Sequence, residues 1–166
     1  MKMKNKNLTT KEITLTGLVI ALVFVMTLYM KIPNALDGYF NLGDGFIMVF
    51  ASVLSPFSAL LVGGIGSALA DIAGGYAYYF FPTLCIKGLS AVVISLLIQR
   101  YGKKVRMPAY IIAAIIIVSG YFLAKAYLKQ SFAIALLGVP GNTIQAVAGI
   151  IIAGLCYPVI NRIMKK

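Results

Sequence analysis

Six apolar runs, at 12–31, 42–55, 57–74, 82–99, 108–128 and 139–160, constrain this 166-residue chain more than any other feature. A hydrocarbon core of about 30 Å takes roughly 20 apolar residues per helical pass, and each run comes close to that length. In lipid every backbone amide and carbonyl must find its partner within the protein, so such runs fold as helices. The expected fold class is all-α: an integral membrane bundle of six transmembrane helices, one membrane domain over 1–166. A mean hydropathy of +0.94 with 61% hydrophobic residues points the same way. The second and third runs are short and share only the Ser55-Pro56 break, which predicts a tight turn between their inner ends.

The beginning, "MKMKNKNLTTKEITLTGLVIALVFVM", imitates a secretory signal, but no small-residue cleavage site follows, so the run is expected to be the first helix. Lys2, Lys4, Lys6 and Lys11 precede it. Arg100, Lys103, Lys104 and Arg106 separate the fourth and fifth runs, and Arg162, Lys165 and Lys166 end the chain. Eleven of the fifteen basic residues therefore fall on one side of a six-pass weave, leaving Lys31, Lys87, Lys125 and Lys129 elsewhere. By the positive-inside rule both termini are expected to be cytoplasmic in a multi-pass protein of the cell membrane.

The net charge of +11 does not indicate nucleic acid. The basic clusters flank apolar runs without an aromatic stacking surface or recognition motif, and topology with contact to anionic lipid accounts for them. Two cysteines, Cys85 and Cys156, lie within apolar runs and read as packing residues rather than a disulfide framework. Histidine is absent, which removes the commonest general base and zinc ligand. "GGIGSALAD" lacks the lysine of a phosphate-binding loop, and its small residues at 63, 64, 67 and 68 read as close helix packing. With no metal, cofactor or nucleotide site in the pattern, uphill transport would draw its energy from a partner or an ion.

Polar residues gather on the other side of the weave. "KIPNALDGYFNLGDG", "DIAGGYAYYFFP" and "LKQSFAIALLGVPGN" carry aromatics, glycines and three of the four acids, Asp37, Asp44 and Asp71; Glu12 starts the first helix on the basic side. Water-exposed connectors gain little from Phe80, Phe81 or Leu136, so these segments are expected to fold back over the bundle as a lid.

Several residues there admit more than one reading. Asp71 and Lys87, charged at membrane depth, form a structural ion pair, snorkel to the interface or line a polar cavity, and a pair can also shape a pocket wall. Tyr76, Tyr78, Tyr79, Phe80 and Phe81 make either an interfacial belt or a stacking surface for a flat heterocycle. Lys125 follows Tyr121 by four residues on one helical face, either snorkelling or holding a hydroxyl or anionic group. Asn142 and Gln145 are spaced i, i+3 where "VPGNTIQAVAG" opens the last run with Pro140 in its first turn, and they serve a neighbouring helix or a ligand. Asn41 and Asp44 in "NLGDGF" sit where Asp44 would cap exposed amides. Gly17 and Ala21, small-xxx-small, give the first helix a flat strip for a helix of this chain or of another subunit.

The six spans, the core "FNLGDGFIMVFASVLSPFSALLVGGIGSALADIAGGYAYYFFPTLCIKGL" and the "PGNTIQAVAG" opening of the last helix resemble the substrate-binding S components of energy-coupling factor (ECF) vitamin transporters over nearly the whole chain. The core looks most like the branch associated with hydroxymethylpyrimidine, pyridoxine and riboflavin. That resemblance implies an outward-opening pocket built from the outer loops and the outer halves of helices 4 to 6, with substrate bound by Asn41, Asp44, Tyr76, Tyr79, Lys87, Tyr121, Lys125, Asn142 and Gln145. Tyrosines would stack on the ring, amides, lysines and Asp44 would hydrogen-bond it, and Asp71 would hold Lys87. It also implies a transmembrane scaffold subunit and two cytosolic ATPases as partners, the scaffold contact falling at Gly17-xxx-Ala21 where the family has Ala-xxx-Ala. No enzyme is expected: the acids and Lys87 are unsupported by a histidine, a serine elbow or an acidic metal cluster. A structural membrane subunit, whose outer aromatics are only a belt, is the competing class. Among vitamins, hydroxymethylpyrimidine or pyridoxine suits the amides and tyrosines, Lys87 and Lys125 would also suit a carboxylate such as pantothenate, and riboflavin requires a larger pocket.

Overall fold

A computed structural model describes residues 9–34 and 38–164. Asp37 and the basic residues Lys2, Lys4, Lys6, Lys165 and Lys166 lie outside the described residues. Six helices follow in order: α1 (Thr10–Tyr29), α2 (Gly43–Ala51), α3 (Pro56–Ala73), α4 (Phe80–Tyr101), α5 (Arg106–Lys129) and α6 (Phe132–Met164). An antiparallel ribbon, β1 (Lys31–Asn34) with β2 (Gly38–Asn41), joins α1 to α2 in the register Lys31 to Asn41. This ribbon is the one departure from an all-helical architecture among the described residues.

Five helices, all but α2, are long and apolar enough to cross a membrane. The expected second span at 42–55 is corrected accordingly: α2 has nine residues, about 13 Å of helix. The chain nevertheless travels the depth of the bundle there. Gly43 packs on Thr27 near the end of α1, whereas Ser58 in the first turn of α3 donates to Glu12 Oε1 at 3.2 Å near its beginning. Those two α1 residues are separated by about 22 Å of helix. The distance beyond Ala51 is covered by the irregular segment 52–55, which gives this pass its short helix. At membrane depth such backbone must be satisfied internally, and Ser95 Oγ donates to the Leu54 carbonyl at 2.7 Å. Ser52 Oγ, which donates to Met48 O, is also 2.8 Å from the Tyr110 hydroxyl.

The Ser55-Pro56 turn is as expected: Ser55 caps α3 by accepting from Ser58 N, with Pro56 in the first turn. The starts of α1, α3 and α5 and the ends of α4 and α6 meet at one end of the bundle, tied by Glu12 to Ser58 and by Lys103 Nζ to Asn161 Oδ1 at 2.7 Å. This is the basic end. The ribbon, the turn Ala77–Tyr79 and the α5–α6 turn lie at the opposite, aromatic end.

α2 is the centre of the bundle, packed on α1, α3, α4 and α6, with every residue except Phe46 buried. The closest helix pair is α3 with α4. A Cβ on Gly63 would sit 2.6 Å from the Lys87 carbonyl oxygen, so the glycine-rich stretch is helix packing, as its composition indicated. On the far side, α6 begins at Phe132 rather than near 139. Most of the supposed third outer loop is helix, α5 and α6 being joined at Gln130 (φ 50) and Ser131. Pro140 stands inside α6 rather than in its first turn. The lid expectation is corrected here too: the apolar character of residues 132–138 was the ground for a folded-back lid, but lipid contact accounts for an exposed Phe132 or Leu136 on a helix.

Candidate functional site

Four polar residues from four elements meet beneath the aromatic end. Asp44 in the first turn of α2 forms an ion pair through Oδ1 with Lys87 Nζ of α4 at 2.8 Å and accepts at Oδ2 from Gln145 Nε2 of α6 at 2.5 Å. Gln145 Oε1 in turn accepts from the Asn41 backbone amide at 3.0 Å and, longer, from Asn41 Nδ2 at 3.4 Å. Asn41 Oδ1 closes the series by accepting from Gly43 N at 2.9 Å. Asp44 is 0% and Lys87 1% exposed, so both charges have left solvent entirely. Isolated, each would cost several kcal/mol to bury; joined and hydrogen-bonded, the cost is offset.

Local sequence explains how they meet. Glycines flank Asp44 in "GDG", and on the facing helix Gly149 lies so close that a Cβ there would be 3.2 Å from the Asp44 Cβ. With no side chain between them, α6 approaches near enough for Gln145, one turn before Gly149, to reach the carboxylate. Capping, the expected role of Asp44, is corrected: Leu42 is the residue before the helix and no side chain caps it, while Asn41 satisfies the Gly43 amide. Asp44 instead forms an ion pair with Lys87, a pairing the sequence did not suggest. Asp71 is itself buried on α3.

A second, aromatic layer adjoins the first along α4. Tyr79, Thr83 and Lys87 are spaced i, i+4, i+8 and so share one face. Tyr79 is buried and its ring centroid is 6.2 Å from that of Tyr121 on α5, whose hydroxyl is 2.9 Å from Thr83 Oγ1. Tyr78 stacks at 5.0 Å on Tyr79 and lies 6.3 Å from half-buried Tyr76. Thr83 is a residue that sequence reasoning missed, and its signal was the four-residue offset from Lys87.

The remaining expected residues fall along α6. Gly138, Asn142, Gln145 and Gly149 form one stripe at i, i+4, i+7, i+11. Lys125 is buried against Gly138, where a Cβ would be 3.4 Å from its Nζ. The side chain of Asn142, half-buried between Gly138 and Gln145, makes no hydrogen bond among the described residues. Thr27 was also missed: it is fully buried, packs on Gly43, and its hydroxyl has no hydrogen-bond partner among the described residues. Gly17 and Ala21 are exposed on α1, and a Cβ on Gly17 would meet nothing within 4 Å. No His, Cys, Asp and Glu cluster among the described residues could hold a metal ion.

What this arrangement can do is bind. Asp44 is committed through both oxygens, and Gln145 has its amide orientation imposed from both ends. The second Gln145 Nε2 hydrogen and the Asn142 amide remain as hydrogen-bonding groups, with Tyr79 and Tyr121 as flat apolar surface beside them.

Comparison with known proteins agrees with a binding role. The family model of the ECF-type riboflavin transporter, S component, matches residues 7–162. A Pyrococcus woesei protein described as an uncharacterized protein in the gap 3' region is 35% identical over 136 residues, 80% of this chain and 89% of that one. The thiamine precursor transporter HmpT of Lactococcus lactis subsp. cremoris is 27% identical over 162 residues, 96% of this chain and 92% of its own.

Proposed function

Because the chain belongs to the ECF-type riboflavin transporter S component family, a family of vitamin-uptake subunits rather than enzymes, we propose that it captures hydroxymethylpyrimidine or pyridoxine on the outer face of the plasma membrane. The observation that carries this choice is the ion pair of Asp44 with Lys87. It cancels the charge of Lys87, one of the two lysines that would suit a carboxylated vitamin such as pantothenate, and leaves amides beside tyrosine rings. Small hydroxymethylated heterocycles match that surface in polarity. The relative transporting a thiamine precursor supports the same branch, while the family's description keeps riboflavin as the second reading.

In this reading Asn41, Asp44, Lys87, Asn142 and Gln145 supply the polar contacts, Tyr76, Tyr79 and Tyr121 the stacking surface, and Lys125 closes the pocket against Gly138. Asp71 lines the wall behind Lys87. The basic end faces the cytoplasm, in keeping with Lys103, Lys104, Arg106 and Arg162. A transmembrane scaffold subunit and two cytosolic ATPases complete the importer, the scaffold approaching the open strip at Gly17 and Ala21.

Native mass spectrometry of the purified chain, followed by calorimetry against a panel of B vitamins, tests the proposal. A nanomolar ligand corresponds to about −12 kcal/mol and survives purification. A released mass equal to hydroxymethylpyrimidine or pyridoxine is expected; riboflavin would transfer the assignment to the second reading, and an empty chain that binds no vitamin would remove the substrate-binding role.

A further inference from the structure

Away from the polar cluster, α5 and α6 part at mid-depth and leave an apolar cleft of about 610 Å³ on the outside of the bundle. Ile111, Val118 and Phe122 line it from α5, Val139, Val147 and Ile150 from α6. The two hydroxyls in its walls are spoken for, because Ser119 donates to Ile115 O at 2.7 Å and Thr143 to Val139 O at 2.8 Å. The walls therefore offer hydrocarbon contact only, in a protein whose surroundings are acyl chains.

The seam below the cleft is different. On α6 the stripe Val139, Thr143, Ala146, Ile150 continues at helical spacing to Tyr157 and Asn161. There Arg106 stacks over the Tyr157 ring at 3.9 Å and Lys103 bonds Asn161 at 2.7 Å. Arg106 Nε is buried and has no hydrogen-bond partner among the described residues. The nearby cations Lys104 and Arg162 add to the charge, and the one described acid at this end, Glu12, is bonded to Ser58 across the bundle. Arg106 is five residues from Ile111, so the cations begin about 8 Å below the cleft floor.

We propose that the α5–α6 seam is a binding site for one anionic phospholipid, an acyl chain lying in the cleft and the phosphate held by Lys103 and Arg106. Charge complementarity selects this occupant: a cleft filled by a partner helix needs no cations at its foot, and a zwitterionic lipid, whose phosphate is partly offset by its own cation, gains less from them. Basic pockets between membrane helices are suited to anionic headgroups, and a guanidinium offers paired donors to phosphate.

The test is native mass spectrometry of the full chain released from nanodiscs containing equal amounts of phosphatidylglycerol and phosphatidylcholine of matched chains. One retained phosphatidylglycerol is expected, with a preference on the order of tenfold or more from two cations at the membrane surface. The Lys103→Gln/Arg106→Gln variant is expected to lose that preference. Ser119→Phe, filling the cleft from an exposed position, is expected to lose the retained lipid whichever the headgroup, with vitamin affinity reporting that the fold is intact. Equal retention of the two lipids, or retention unchanged by Ser119→Phe, overturns the proposal. So does photo-crosslinking from position 119 to the scaffold subunit in the assembled transporter, which would assign the cleft to protein.

Discussion

The two ends of the bundle handle charge in opposite ways. At the aromatic end Asp44 and Lys87 are fully buried, face each other and are tied to Asn41 through Gln145, a residue more than a hundred positions from both Asn41 and Asp44 in sequence. At the basic end Lys103 and Arg106 rest on an amide and an aromatic ring, partly exposed and with no carboxylate partner among the described residues. The first arrangement is complete within the chain and neutral. The second is complete only with something anionic beside it, so stability should reside in the former and responsiveness to surroundings in the latter.

Breaking the buried pair gives the largest effect. Lys87→Met leaves an uncompensated carboxylate and is expected to lower stability by about 3–5 kcal/mol, measured by thermal unfolding in detergent, with Asp44→Leu/Lys87→Met recovering most of the loss while abolishing vitamin binding. Equal destabilisation by the double variant would show that the pair itself, and not the orphaned charge, holds the helices. Next comes Gly63→Ala, whose Cβ would press on the Lys87 carbonyl; overpacking of this kind costs about 1–3 kcal/mol, and an unchanged melting temperature would mean that α3 and α4 separate easily. Gln145→Ala removes the bonds to Asp44 and Asn41, a loss of about 1–3 kcal/mol, and should weaken vitamin affinity in calorimetry more than Asn142→Ala does. Lys103→Ala at the basic end should stay within about 0.5 kcal/mol in detergent, a larger drop marking the Asn161 contact as structural. Ala21→Leu is expected to leave stability and vitamin affinity of the isolated chain unchanged and to reduce co-purification with the scaffold subunit.

The same contrast explains what was legible in the sequence. Apolar runs mark α1, α3, α4 and α5 to within a few residues, because partition into lipid is a local property of composition. The charged and amide residues near the aromatic end stood out for the same reason, each being costly at that depth. Their pairing did not. Nothing in the spacing of Asp44 and Lys87 signals their ion pair, because only the docking of α2 against α4 and α6 brings the two together. The length of α2 was hidden because residues 52–55 are as apolar as a helix, and the start of α6 because an apolar loop and a lipid-facing helical turn have the same composition. The ribbon between α1 and α2 gave no alternating pattern from which to infer it.

The shortness of α2 also bears on how the chain is made. Nine residues containing an aspartate are too few and too polar to enter the bilayer alone, so this pass depends on its neighbours for insertion. During synthesis Asp44 emerges well before Lys87, and Gln145 later still. Its neutralising contacts therefore assemble in stages, and the central helix takes its final place only once the last one has arrived.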